Sequence, residues 1–129
     1  LARILVVEDN ALNIKLFCDL LAAHGHEPRA VTDSREALAT AREFRPDLII
    51  TDIQLPHISG LELIQLFNSE EVLKDVPVMA VTAYAAAGDD ERIRAAGATS
   101  YVSKPISVAR FVEEVEALLN KPALETNGA

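Results

Sequence analysis

Five short apolar runs divide the chain, and every stretch between them carries apolar residues at helical spacing. The first run is Arg3–Val7. Residues 11–24 follow with Leu12, Leu16, Leu20 and Leu21 as the apolar stripe of a first helix, Asn10 as its N-cap and Gly25 as its C-cap. Glu27–Val31 is a weaker strand candidate. Thr32-Asp33-Ser34 then caps a second helix with Ala37, Leu38, Ala41 and Phe44 on one face, and Pro46 stops it. Residues 47–51 are apolar almost throughout, the pattern of a central parallel strand covered on both faces. After a loop at residues 55–60, Leu61, Ile64 and Phe67 mark a third helix. Pro77 permits the fourth strand only from Val78 onward. Residues 85–90 lead into a fourth helix whose main apolar anchor is Ile93, so it is expected to dock weakly and move easily. A fifth strand at 99–103 precedes a fifth helix capped by Ser107, with Phe111, Val115, Leu118 and Leu119 on one stripe. The domain is expected to span residues 1–120, with 121–129 as a frayed, aperiodic tail.

Strict strand–helix alternation predicts an α/β fold: a five-stranded parallel sheet with five helices on both faces, joined by right-handed crossovers. The order 2-1-3-4-5 is a common form, and its sites lie outside the carboxyl ends of the strands. Chemistry-bearing residues sit at those ends. The first strand runs into Glu8-Asp9, the third into Asp52, the fourth into Thr82 and the fifth into Lys104-Pro105.

Composition narrows the partners. The 129 residues suit one domain, and no apolar run approaches the roughly 20 residues that span a bilayer. A net charge of −8 disfavours direct binding to nucleic acid or to an anionic membrane, leaving a cation or a protein surface. The expected compartment is the cytoplasm. Cys18, the only cysteine, reads as an ordinary helix position.

Carboxylates crowded at one edge repel, by roughly 4 kcal/mol for a pair about 4 Å apart at an effective dielectric of about 20. A hard cation cancels this. Mg²⁺ fits oxygen ligands, with Asp9 and Asp52 binding directly and Glu8 acting through water; no His or Cys adjoins these acids in sequence, which argues against zinc. A carboxylate in such a site is also a nucleophile for phosphoryl transfer. Asp52 is the candidate, with Lys104 supplying positive charge and Thr82 a hydroxyl. Singly, each residue has a plainer reading: Glu8-Asp9 as a solvated turn, Lys104 as a surface lysine, Thr82 as a strand-end threonine. Their ordered succession at strand ends is what chance does not readily supply.

The motifs Val6-Val7-Glu8-Asp9-Asn10, Leu48-Ile49-Ile50-Thr51-Asp52-Ile53-Gln54-Leu55-Pro56, Gly60, Ala80-Val81-Thr82-Ala83 and Lys104-Pro105 resemble the receiver domain of bacterial two-component response regulators, over about residues 3–120. Residues 10–17, 60–62, 88–94 and 103–108 are also similar to single-domain cell-division regulators of alphaproteobacteria. The resemblance implies a flavodoxin-like receiver fold. It also implies that a histidine kinase or phosphotransfer protein presents phosphohistidine, and that Asp52 accepts the phosphoryl group. Mg²⁺ would then be held by Asp9, Asp52 and the main-chain carbonyl of Gln54. Lys104 and Thr82 would hold the phosphoryl oxygens, Thr82 and the aromatic Tyr101 would act as switch residues, and the Lys104–Pro105 bond would be cis. A downstream protein target would dock on the face of the fourth helix, fifth strand and fifth helix. Gln54 and Tyr84 would shape access of the hydrolytic water. His57 reads as a loop histidine, and His24 and His26 as helix-end residues.

The reading is of a single-domain switch in cell-division control, not a turnover enzyme. Three alternatives stand beside it. One is a Mg²⁺-dependent phosphatase with an aspartyl nucleophile, in which Gln54 takes the place of the second acid of the usual Asp-x-Asp. The others are a scaffold indifferent to phosphorylation and an intermediate in a phosphorelay.

Overall fold

A computed structural model describes residues 2–83 and 89–120; the expected tail at 121–129 lies outside the described residues. The elements run β1 (Arg3–Val7), α1 (Ala11–Ala23), β2 (Glu27–Val31), a single 3₁₀ turn (Ser34–Glu36), α2 (Ala37–Phe44), β3 (Leu48–Asp52), α3 (Gly60–Ser69), β4 (Val78–Thr82), α4 (Asp89–Ala96), β5 (Ser100–Ser103) and α5 (Val108–Leu119). The five strands pair in parallel in the order β2-β1-β3-β4-β5.

Alternation along each strand sends side chains to opposite faces, and two cores result. Ile4, Val6, Leu48, Ile50, Met79 and Val81 face α1 and α5. Phe17 of α1 stacks on Phe111 of α5 there, with ring centroids 4.9 Å apart. Leu5, Val7, Ile49, Val78 and Ala80 face α2, α3 and α4, meeting Phe44, Leu63, Ile64, Phe67 and Ile93. The register sets Val7 beside Thr51, Asp52 beside Val81 and Thr82 beside Ser103, which brings the functional ends of four strands to one edge.

The caps follow local chemistry. Asn10 Oδ1 accepts from the Asn13 amide, and Ser107 Oγ from the Arg110 amide. Gly25, at φ 86°, follows α1 in the left-handed conformation that glycine adopts freely.

Four expectations need correction. Leu12 is not in the core: it is 79% exposed, and the buried residues of α1 are Phe17 and Leu21. The stripe turned because Phe17 has a stacking partner on α5, whereas Leu12 sits exposed in the first turn. Asp52 belongs to β3 rather than following it, its neighbour Val81 extending the pairing by one residue. In α3, Leu61 is only half-buried and Leu63 is the deeper residue. Of the expected Thr32-Asp33-Ser34 cap, only Asp33 accepts from a turn amide, that of Arg35; Ser34 is turned inward.

Candidate active site

Glu8, Asp9 and Asp52 each offer a carboxylate oxygen, all within 4.8 Å of one another, at the carboxyl ends of β1 and β3. Their environments differ. Glu8 and Asp52 are buried, at 1% and 4% exposure, while Asp9 is open to solvent. Lys104, carried in from the end of β5, places its Nζ 3.0 Å from Asp52 Oδ2 and 3.8 Å from Glu8 Oε1. Glu8 and Asp52 have further donors. The Gln54 amide donates to Asp52 Oδ1 at 3.3 Å, the Asn10 amide to Glu8 Oε2 at 3.1 Å, and Asn13 Nδ2 to Glu8 Oε1 at 3.5 Å.

Three carboxylates face one ammonium, and the imbalance shows in Glu8. Burial pushes its carboxyl up to about 7, with the Asp52 charge adding to the rise and the Asn10 amide and Lys104 opposing it. An oxygen-only donor set, electrostatically short of positive charge, suits a hard divalent cation of the Mg²⁺ type. The residues present therefore fit such an ion.

The backbone around Asp52 is tightly determined. Gly60 opens α3, and its amide donates to Ile53 O at 2.8 Å. A Cβ at this position would collide with the Asp52 carbonyl oxygen and the Ile53 Cα, so glycine is required for α3 to start against the end of β3. Ser59 and Glu62 form a reciprocal capping box at the same helix start. Lys104 is aligned through its own amide, which donates to Thr82 O at 2.7 Å, and the Lys104–Pro105 peptide bond is cis. Thr82 is buried at the end of β4 and lines a cavity of about 210 Å³ with Ile53, Gln54, Leu61, Asp89, Arg92 and Ile93. Tyr101 lies half-buried on β5 with the Arg94 guanidinium 5.5 Å from its ring centroid.

Glu8, Asp9, Asp52, Gln54, Thr82 and Lys104 thus gather at one edge, while Tyr101 stands apart on the outer strand. Tyr84 lies outside the described residues. His57 is an exposed loop residue with φ 72°. His26 is more than a helix-end residue: its Nδ1 accepts from the Ala2 amide, leaving Nε2 to donate to Glu116 on α5 at 2.8 Å.

Sequence reading missed three contributors. Asn13 and Ser34 reach partners that no local pattern announces. Ser59 was legible, because Ser59-Gly60-Leu61-Glu62 has the spacing of a capping box.

The response regulator receiver domain family model matches residues 4–116. The chain is 52% identical over 116 residues to the polar-differentiation response regulator DivK of Brucella anthropi, covering 90% of this chain and 94% of the relative, and equally to that of Brucella ovis. Among solved structures, the chemotaxis protein CheY4 of Vibrio cholerae superposes with a TM-score of 0.87 at 26% identity, over 92% of this chain and 98% of that one. The receiver domain of the sensor histidine kinase PA1611 of Pseudomonas aeruginosa, which has a magnesium ion coordinated in its active-site cleft, superposes with a TM-score of 0.85 at 30% identity over the same shares.

Proposed function

Because the chain belongs to the response regulator receiver family, we propose that it is a phosphorylation-controlled protein-interaction switch in which Asp52 accepts a phosphoryl group from the phosphohistidine of a histidine kinase or phosphotransfer protein. The observation that carries this reading is the Lys104 ammonium held between Asp52 and Glu8 at the mouth of a three-carboxylate cluster.

In the transfer, an Asp52 carboxylate oxygen forms a bond to phosphorus as the phosphorus–nitrogen bond of the donor breaks, and the bonding pair returns to the imidazole nitrogen. The Gln54 amide and Lys104 each hold one oxygen of the carboxylate and so fix its orientation. Such pre-positioning lowers the entropic part of the barrier. Lys104 then stabilises charge on the transferring group, and Thr82 offers its hydroxyl from β4. Asp9, Asp52 and the Gln54 carbonyl would hold Mg²⁺, with Glu8 acting through water, and the ion would supply positive charge to offset that of the acids and the phosphoryl group.

The new group brings about −1.5 to −2 charges and strong acceptors to a buried edge. Thr82 and Tyr101 are the proposed switch residues, since Thr82 borders both the site and the cavity under α4, and Tyr101 lies on the same side of the sheet. The face of α4, β5 and α5 would present the altered surface to a downstream protein. Likeness to the polar-differentiation regulators supports a place in cell-division control.

An amide NMR titration with beryllofluoride and Mg²⁺ tests the reading, on wild type and on Asp52→Asn. Shifts around Asp52, Thr82 and Tyr101 that vanish in the variant are expected. A folded wild type with no response would overturn the phosphoacceptor assignment.

A further inference from the structure

Ser34 carries a buried hydroxyl that none of the chemistry above uses. It opens the 3₁₀ turn between β2 and α2 and is 2% exposed. Its Oγ–H donates to the Pro56 main-chain oxygen at 2.6 Å, and its Oγ accepts from the Ile58 amide at 3.0 Å. Both partners belong to the loop that joins Asp52 to α3, so one side chain from elsewhere in the fold grips that loop twice.

The two grips flank His57, whose φ of 72° is a left-handed conformation that a residue with a Cβ adopts at a cost of roughly 1–2 kcal/mol. Such a conformation persists where the surroundings over-determine it. The base of the loop is tied as well, by the Gly60 amide to Ile53 O and by the Gln54 amide to Asp52 Oδ1. The stretch from Ile53 to Ile58 is therefore fixed at its root by the Gly60 amide and the Asp52 carboxylate and at its tip by Ser34.

We infer that Ser34 is a positioning residue for the cation site: by clamping Pro56 and Ile58 it fixes the loop that presents the Gln54 carbonyl. This rests on the proposed assignment of that carbonyl as a Mg²⁺ ligand. Mg²⁺ demands near-octahedral geometry at about 2.0–2.1 Å, so a loose carbonyl loses affinity through both misplacement and the entropy of ordering the loop. Groups that orient metal ligands typically change affinity about 10- to 100-fold when removed.

Mg²⁺ titrations followed by amide NMR test this on wild type, Ser34→Ala and Thr99→Ala. Thr99 Oγ1 accepts from the Val78 amide at the opposite end of the sheet, so its loss removes a side-chain-to-backbone hydrogen bond far from the loop. Ser34→Ala is expected to weaken Mg²⁺ roughly tenfold and Thr99→Ala to leave it unchanged. Equal affinity of Ser34→Ala and wild type, or equal weakening in both variants, overturns the clamp. If wild type binds no Mg²⁺ beside Asp52, the cation-site reading fails and the clamp with it; if wild type binds and Ser34→Ala binds equally well, only the clamp fails. A second measurement needs no variant. Because coupling is reciprocal, Mg²⁺ should slow hydrogen exchange at the Ile58 amide of the wild type, and an unchanged rate overturns the inference.

Discussion

Helices α3 and α4 cover the same face of the sheet and contribute to the same core, yet they are held in different ways. α3 spans ten residues, carries a capping box, and buries Gly60, Leu63, Ile64 and Phe67. Among the described residues α4 runs over Asp89–Ala96, has three acids in its first turn, and buries only Ile93 and Ala96. The first starts against the carbonyl of Asp52; the second borders the cavity beside Thr82. Under the proposed function, with Asp52 as nucleophile and the α4 face as the surface that changes partners, the contrast separates two tasks. A nucleophile must be placed to a fraction of an ångström, so its neighbour is packed and capped. A surface that changes partners must have a second arrangement of similar free energy, which a sparsely anchored helix permits.

The contrast is sharpest in core truncations. Phe67→Ala should cost about 3–5 kcal/mol by urea denaturation, whereas Ile93→Ala should cost about 2 kcal/mol, at the low end for a buried aliphatic. Equal losses would break the distinction between the helices.

The next effect concerns the tightly held side alone. The Glu8 carboxyl stands at about 7 in the folded protein against 4.5 ordinarily, so between these values the folded state binds more protons than the unfolded one. In the Mg²⁺-free protein the contribution of Glu8 to stability is present in full below about pH 4.5 and is lost as pH rises through about 7, by on the order of 3 kcal/mol. Denaturation curves in chelator check the sign, and Glu8→Gln should flatten the slope. Half-buried Asp33, lowered to about 2 by its Arg35 partner, gives the opposite slope only in strong acid.

Removing the cap of α3 is smaller. Ser59→Ala should lower stability by about 1 kcal/mol and raise amide exchange at Glu62, without altering α4. The smallest effect lies on the loose side. Arg94→Ala removes a guanidinium from the Tyr101 ring, worth about 0.5–1 kcal/mol at an exposed site. Global stability should scarcely move, but the Tyr101 ring resonances should shift toward their beryllofluoride-bound positions. Ring resonances insensitive to the substitution would show that Arg94 does not bias Tyr101.

Much of this was readable before any fold was known. Periodicity located all five strands and all five helices, and strand ends located the acids, Thr82 and Lys104. The weak docking expected of the fourth helix agrees with the two buried residues of α4. What escaped was long-range. Leu12 and Phe17 are both apolar residues of α1, and only the presence of Phe111 across the interface decides which one is buried. Ser34 read as a helix cap because serine commonly is one; that it turns inward depends on a loop 22 residues further on. His26 read as a helix-end residue because its partner Glu116 lies 90 residues away.

Fold class and the candidate site residues were legible along the chain, because hydrophobic period and strand-end chemistry are local properties. Packing in three dimensions is what makes Glu8 the buried acid and Asp9 the exposed one, bars a side chain at Gly60, and sets Ser34 against the loop after Asp52. Each of these depends on which surfaces meet when two cores close on opposite faces of one sheet, and packing of that kind is a property of pairs of segments rather than of any segment alone.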